Sequence, residues 1–409
     1  MPLIRPFAAL RPAPGRAADV AAPPYDVLSS DEARQRAAGR PFSFLHISKA
    51  EIDLPPGTDP YAPEVYARSS ANLANLIANG VLLRDATPRY YAYRLNMGAH
   101  VQTGLVAAAS VADYDSNRIR RHEFTRPDKE DDRVRQIEAL NAQTGPVLLA
   151  YPECPAADAA IAAATAGEPL ADVMADGVRH TAWAIDDPSA IASISTAIDA
   201  LPGLYIADGH HRSAAASRVA AARRQGGAPA GPADAFLAVM FPAHEMRIMD
   251  YNRVVRDLNG LTPDAFVARV GETFFIEPVP AAFSPEMPGT FALYLAGRWY
   301  RLRLDPSRIP AHDPVARLDV SLLSDHLLGP VLGIADLRRD KRIDFVGGIR
   351  GLSELERRVD SGEMAAAFAL HPTRMADLMA VADAGEVMPP KSTWFEPKLA
   401  DGLLSHVLD

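Results

Sequence analysis

Five consecutive residues, Asp208-Gly209-His210-His211-Arg212, join an apolar run at 204–207 to an alanine-rich stretch at 213–224 that stops at Gly226-Gly227. The order predicts a strand, a tight turn, a helix and a glycine stop. The first N–H groups of a helix lack intrahelical acceptors, and the helix dipole places partial positive charge there, so a phosphate is well served at this point. Arg212 adds a planar fork of donors that can grip phosphate oxygens with two bonds. Gly209 allows a tight turn or the close approach of a ligand. Asp208 can hold Mg²⁺ or orient a hydroxyl, since carboxylates suit hard cations. Two plainer alternatives stand beside this one: an Asp-Gly turn with surface histidines, and a transition-metal site. Adjacent histidines do not share a helical face as i, i+4 partners do, and the sequence has no His-Glu-x-x-His pattern.

The rest of the chain must position these groups. A short helix is predicted at 31–36, capped near Ser29 or Ser30, followed by an apolar strand at 41–47. Apolar spacing predicts a helix at 61–79 stopped by Asn79-Gly80. Runs at 89–95 and 101–111 flank a glycine-containing turn and predict a hairpin. A helix is expected at 129–142, a buried strand at 146–151, and an alanine-rich helical region at 155–200 interrupted near Gly177 and Pro188. Strands follow at 235–242, 291–304 and 340–346, with helices at 352–360 and 372–384. A loop at 385–397 then leads to a short closing helix. The fold class expected is α/β or α+β mixed.

The sequence has 409 residues, 48% hydrophobic and 23% charged, with 26 glycines and 35 prolines. That is ordinary globular usage with room for two or three domains. The net charge of −9 argues against a nucleic-acid partner, which needs a basic face, and against anionic membranes. Cys154 is the only cysteine, so no intramolecular disulfide forms, as suits a reducing compartment. No apolar run approaches the ~18–20 residues needed to cross a bilayer, and residues 1–6 lack the apolar core of a secretory signal. A cytoplasmic protein is expected.

At the central motif the chain resembles the ParB/sulfiredoxin-like superfamily, and the spelling Asp208-Gly-His-His-Arg212 is similar to its free serine kinases. The whole sequence resembles a bacterial family catalogued as domain of unknown function 1015. That broader match is carried by Arg5-Pro-Phe-Ala-Ala-Leu-Arg-Pro12, Ala22-Pro-Pro-Tyr-Asp-Val27, the stretch His122 to Arg133, and Pro389-Pro-Lys-Ser-Thr393. The kinase likeness adds His122-Glu123 before the central motif, and Gly385-Glu386-Val387 leading into Pro390-Lys391-Ser392-Thr393 after it. Two features depart from the kinases: a longer, alanine-rich interval between Glu123 and Asp208, and Trp394-Phe395 in place of basic or imidazole side chains.

The resemblance implies a phosphotransferase using ATP or ADP with Mg²⁺, and L-serine as the acceptor. It implies a ParB/sulfiredoxin-like nucleotide-binding core at 116–260, with an N-terminal α/β region at 1–115 and a C-terminal α/β lobe at 261–409 that closes the active site. Glu123 becomes the catalytic base, with Asp208 and His211 beside it. Gly209, His210, Arg212, Ser213, Lys391, Ser392 and Thr393 become nucleotide and phosphate ligands, and Asp208 the metal ligand. His122, Asn252 and Arg253 are placed at the acceptor. Each has a plainer alternative: a solvated charged loop for 120–126, an exposed loop for 391–393, a strand-end surface pair for Asn252-Arg253. Arg5, Tyr25 and Asp26 are candidates to shape the pocket, though no local chemistry singles them out; Trp394 and Phe395 read as core, with stacking on a base as the alternative, and Cys154 as inert. The expected partners are a small-molecule substrate and a nucleotide, with no nucleic acid and no membrane; a homodimer is compatible with the sequence. The competing functions are a ParB-like nucleotide switch and a metal-dependent hydrolase.

Overall fold

The structure is a computed structural model that describes residues 2–409. The chain forms two compact units, one comprising the chain up to Met246 with Pro397–Asp409, the other Arg247–Glu396. The class is mixed α/β.

The first unit is built on a nine-stranded sheet. In chain order its elements are β1 (Ile4–Arg5), β2 (Tyr90–Met97), β3 (His100–Ser110), β4 (Ile119–Arg120), α1 (Pro127–Leu140), β5 (Val147–Tyr151), α2 (Pro155–Ala164), β6 (Ala171–Ala175), β7 (Val178–Ile185), α3 (Pro188–Asp199), β8 (Leu204–Asp208), α4 (His210–Gln225) and β9 (Ala235–Pro242). The strands lie in the order β4-β8-β5-β9-β3-β2-β7-β6, with β1 paired to β3. β8 runs parallel to β4 and antiparallel to β5, while β5 runs parallel to β9. Strands β5, β8 and β9 are apolar and buried almost throughout, as covered strands of a mixed sheet must be. Their side chains Leu149, Ile206, Phe236 and Met240 form one core with the small Ala107 and Ala109 of β3.

A four-stranded sheet in the same unit orders Leu82–Arg84, Ala9–Pro12, Ser405–Val407 and Ala142–Gln143. The end of the chain is therefore a strand where a short helix was expected. The three residues Ser405–Val407 are too few for periodicity to separate the two, and the open edges of two short strands supply the hydrogen-bond partners that decide it.

Other expectations are met or corrected by local physics. Ser29 caps Ser30–Ala37 through a reciprocal box with Glu32, and Pro63–Ala78 ends before Gly80 at positive φ. The run at 41–47 is not a strand: it turns at its start and becomes the helix Leu45–Ser48, which buries Leu45 and Ile47 beside Leu73 and Leu76. The alanine-rich region at 155–200 is helical only at its ends. Between α2 and α3 lies the β6–β7 hairpin, turning at Asp176 (φ 50°) and Gly177 (φ 79°), the Asp-Gly pair that favours a two-residue turn. The strand expected at 291–304 is a hairpin, Thr290–Leu295 and Arg298–Leu304, turning at Ala296-Gly297.

The second unit carries a six-stranded antiparallel sheet in the order Phe274–Val279, Arg298–Leu304, Thr290–Leu295, Ala366–Leu370, Tyr251–Val255, Ile343–Gly347. Leu352–Asp360 covers one face through Leu355, packed with Val254, Ala292 and Ala367. Arg247–Met249 pairs with Trp394–Glu396; Phe395 is buried there, and Trp394 packs edge-on against Tyr251.

Three histidines of the first unit, His122, His180 and His406, are buried, and burial pushes each imidazole down to about 4. An unfolded histidine titrates at about 6.5. As pH falls from there toward 4 the unfolded chain takes up protons that these three sites refuse. Their contribution to stability is therefore complete above pH ~6.5 and is lost as pH falls, by up to about 1.4 kcal/mol per pH unit for each histidine. Urea midpoints at pH 7.5, 6 and 5 should fall in that order, and less steeply in a His406→Gln variant.

Candidate active site

Parallel neighbours release their C-terminal ends on the same edge of a sheet, which is where ligands bind in α/β folds. β4 and β8 are such a pair, with Ile119 opposite Leu204 and Arg120 opposite Tyr205. His122-Glu123 follows one strand and Asp208 to Arg212 the other, so 85 residues of separation disappear. A register shift between Ile206 and Asp208 against β5 marks a bulge, which re-aims the side chain at the strand end.

Gly209 then takes φ 97° as the N-cap of α4. A Cβ here would stand 3.1 Å from the Arg212 guanidinium carbon and 3.3 Å from the Val147 Cα. Gly209→Ala should therefore cost about 1–2 kcal/mol for the left-handed backbone and displace Arg212 as well. Chemical denaturation measures the combined cost.

The side chains divide by burial. His210 is 3% exposed and His122 2%, and their rings meet edge-to-face at 4.5 Å. The His122 amide N–H donates to His210 Nε2 at 3.4 Å, and His210 Nδ1 faces Glu123 Oε2 at 3.7 Å. Burial, then the neighbouring His122, holds His210 well below the ordinary imidazole range. His122 Nδ1 is buried without a hydrogen-bond partner. Glu123, by contrast, has a half-exposed side chain. His211 is partly exposed and its Nε2 accepts the Arg126 amide N–H at 3.1 Å; burial and then Arg126 lower its pKa. Ser213 is fully buried and its hydroxyl donates to the His210 carbonyl at 3.1 Å.

Arg212 is the electrostatic centre. Its Nη2 donates to Asp208 Oδ2 at 3.1 Å and lies 3.9 Å from Asp26 Oδ2, while Nη1 donates to the Pro146 carbonyl. Withdrawal from water pushes the Asp208 carboxyl up, but Arg212, Lys398 and His210 outweigh it, leaving the group at about 2. Burial likewise disfavours the Arg212 cation, and Asp208 and Asp26 more than restore it. Behind Arg212 lies a crevice of about 30 Å³ lined by Tyr25, Arg133, Thr144 and Asp401 among others. Burial raises Asp401 to about 7 against the pull of Arg212.

Asp401 and Arg133 belong to the site although sequence reasoning did not select them, and Asp26 had no chemistry of its own. The stiff Pro23-Pro24 was the available signal for Tyr25 and Asp26: the Tyr25 ring lies under the Arg133 guanidinium at 3.9 Å. Nothing local marks Asp401, which is joined to Ala22 by an isolated bridge across nearly the whole sequence.

The remaining candidates lie in the second unit. Asn252 and Arg253 are fully buried inside Tyr251–Val255, so they are not a surface pair at a strand end. Asn252 Oδ1 accepts the Leu370 N–H at 3.1 Å; Arg253 donates to the Tyr251 carbonyl and, at 3.0 Å, to the Lys391 carbonyl. Burial lowers Arg253 to about 9. Lys391 is exposed at φ 60°, Ser392 donates to the Pro389 carbonyl at 2.6 Å, and Thr393 is partly exposed. Among the described residues no three His, Cys, Asp or Glu side chains are grouped to hold a metal ion, and no helix is long and apolar enough to cross a membrane.

The model of a family described as protein of unknown function (DUF1015) matches residues 4–321. No curated protein matches. Among solved structures, a free serine kinase in complex with AMP is similar at 15% identity and a TM-score of 0.34, over 73% of this chain and 92% of that one. A conserved hypothetical protein from Pyrococcus furiosus is similar at 14% identity and a TM-score of 0.35, over 76% and 97%. SbnI with C-terminal truncation from Staphylococcus aureus is similar at 12% identity and a TM-score of 0.36, over 72% and 85%.

Proposed function

The chain belongs to the DUF1015 family, and we propose that it is a small-molecule kinase that moves a phosphoryl group from ATP or ADP to a free hydroxylated metabolite, L-serine giving O-phospho-L-serine. One observation carries the reading: a half-exposed carboxylate, Glu123, stands 3.7 Å from the first helical residue after Asp208-Gly209, beside a helix start and an arginine whose side chain is 10% exposed. Base, anion-binding helix terminus and guanidinium are what phosphoryl transfer asks of a protein, because its catalysis is mostly positioning and charge neutralisation. The motif spelling supplies the acceptor.

In this reading the Glu123 carboxylate takes the proton of the acceptor hydroxyl as its oxygen bonds to the terminal phosphorus. The bond from that phosphorus to the nucleotide breaks, and the electron pair leaves with the shortened nucleotide. Backbone N–H groups of His210 and His211, the His211 ring and Arg212 hold the phosphate oxygens. Asp208 is half-exposed, and a single open carboxylate suits Mg²⁺, which binds through one or two carboxylates plus substrate phosphates. When bound, Mg²⁺ would neutralise phosphate charge. The proposal extends to a ParB/sulfiredoxin-like core at 116–260 flanked by regions 1–115 and 261–409, and to a cytoplasmic setting.

The test is phosphorus NMR of the purified protein with Mg²⁺, ATP or ADP in separate tubes, and a panel of free amino acids and polyols. A new phosphate ester with L-serine, absent in the Arg212→Ala variant, supports the kinase. Nucleotide binding or hydrolysis with no phosphorylated acceptor would make a ParB-like switch the better account.

A further inference from the structure

We infer that His210 is a positioning residue for Glu123: its Nδ1–H is aimed at the carboxylate and holds it toward the acceptor, so its role is not that of a phosphate ligand. The inference rests on the reading of Glu123 as the base. Four observations on one ring carry it. The ring is 3% exposed, so its edges belong to protein groups. Its Nε2 is the acceptor for the His122 amide N–H at 3.4 Å, which leaves the ring proton on Nδ1, because a neutral imidazole has one donor and one acceptor nitrogen. That Nδ1 faces Glu123 Oε2 at 3.7 Å. The His122 ring packs edge-to-face against that of His210 at 4.5 Å.

The arrangement has a chemical use. A general base is effective only within hydrogen-bond reach of the proton it removes, so the placing of the Glu123 carboxylate matters. A buried N–H at the start of α4 gives the carboxylate a fixed point from which it meets the acceptor. The two histidines of the motif thereby differ. His210 faces inward to the base, whereas His211, partly exposed with Nε2 on the Arg126 amide, remains for phosphate.

Two measurements test this. Nitrogen-15 NMR of histidine-labelled protein should show His210 as the Nδ1–H tautomer, with a resonance that shifts in Glu123→Gln. An Nε2–H tautomer would overturn the inference, whether or not the protein proves to be a kinase. Kinetically, His210→Ala should lower kcat about 30- to 100-fold with the nucleotide KM changed less than twofold. His210→Asn, whose amide N–H replaces Nδ1–H, should recover most of that loss. In a Glu123→Gln background, His210→Ala should cost almost nothing further. A raised nucleotide KM with kcat retained would make His210 a phosphate ligand and end the proposal. Absence of any phosphoryl transfer by the unaltered protein, with the Nδ1–H tautomer present and coupled to Glu123, would instead remove the kinase reading and leave the positioning contact standing.

Discussion

Glu123→Gln should reduce phosphoryl transfer by about 10²–10⁴-fold, the range that a positioned general base contributes. Glutamine keeps the length and one oxygen of the carboxylate but cannot take a proton. The loss should therefore fall on kcat, with nucleotide affinity within about twofold of the unaltered protein. The side chain is half-exposed at the end of a strand, so the fold should tolerate the change, with stability within about 0.5 kcal/mol of the unaltered protein. Steady-state kinetics beside isothermal calorimetry separates the two quantities. An equal rise in nucleotide Kd and fall in turnover would show Glu123 to be a binding group and remove the base from the proposed mechanism.

Arg212→Ala should have the largest effect on stability and abolish measurable transfer. The guanidinium is the cation shared by Asp208 at 3.1 Å, Asp26 at 3.9 Å and the buried Asp401 behind it. Removing one partner of a buried charge pair leaves the others uncompensated and costs about 3–5 kcal/mol. Because Asp208 and Asp26 are both about two-fifths exposed, water screens part of that, and about 3 kcal/mol is the expected loss by urea denaturation. Arg212→Lys should recover part of the stability, since it restores the charge. It should recover little activity, since an ammonium lacks the planar fork that meets Asp208, the Pro146 carbonyl and a phosphate together. A variant Arg212→Ala that unfolds like the unaltered protein would mean that the carboxylates are neutralised elsewhere.

Sequence by itself determined the local events of this protein. β8, the turn at Gly209 and α4 are readable because an apolar run, a glycine and an alanine-rich stretch each act within a few residues of themselves. The same holds for the Ser29 cap, the stop at Gly80 and the hairpin of β2 and β3. Asp208 to Arg212 stand out because two histidines and an arginine at a strand-to-helix junction are an unusual set wherever the rest of the chain goes. Short-range rules failed where several answers satisfy them. The run at 41–47 and the segment at 405–407 are too short for periodicity to decide, and only the surfaces they meet choose helix for one and strand for the other.

Only the tertiary structure decided what surrounds the motif. That β4 lies parallel beside β8, and so delivers His122-Glu123 to His210, depends on strand pairing across 85 residues, which no periodicity encodes. The His122 amide that meets His210 Nε2 is brought there by that pairing. Asp401 reaches Arg212 only because the chain returns to the first unit after Glu396 and pairs with Ala22. Burial made the final distinctions. Arg253 and Ser213 have the composition of ligands and are fully buried, whereas Asp26, ordinary in sequence, stands half-open beside Arg212. Residue type and spacing are local properties of a chain, while burial and electrostatic partnership belong to the packed whole.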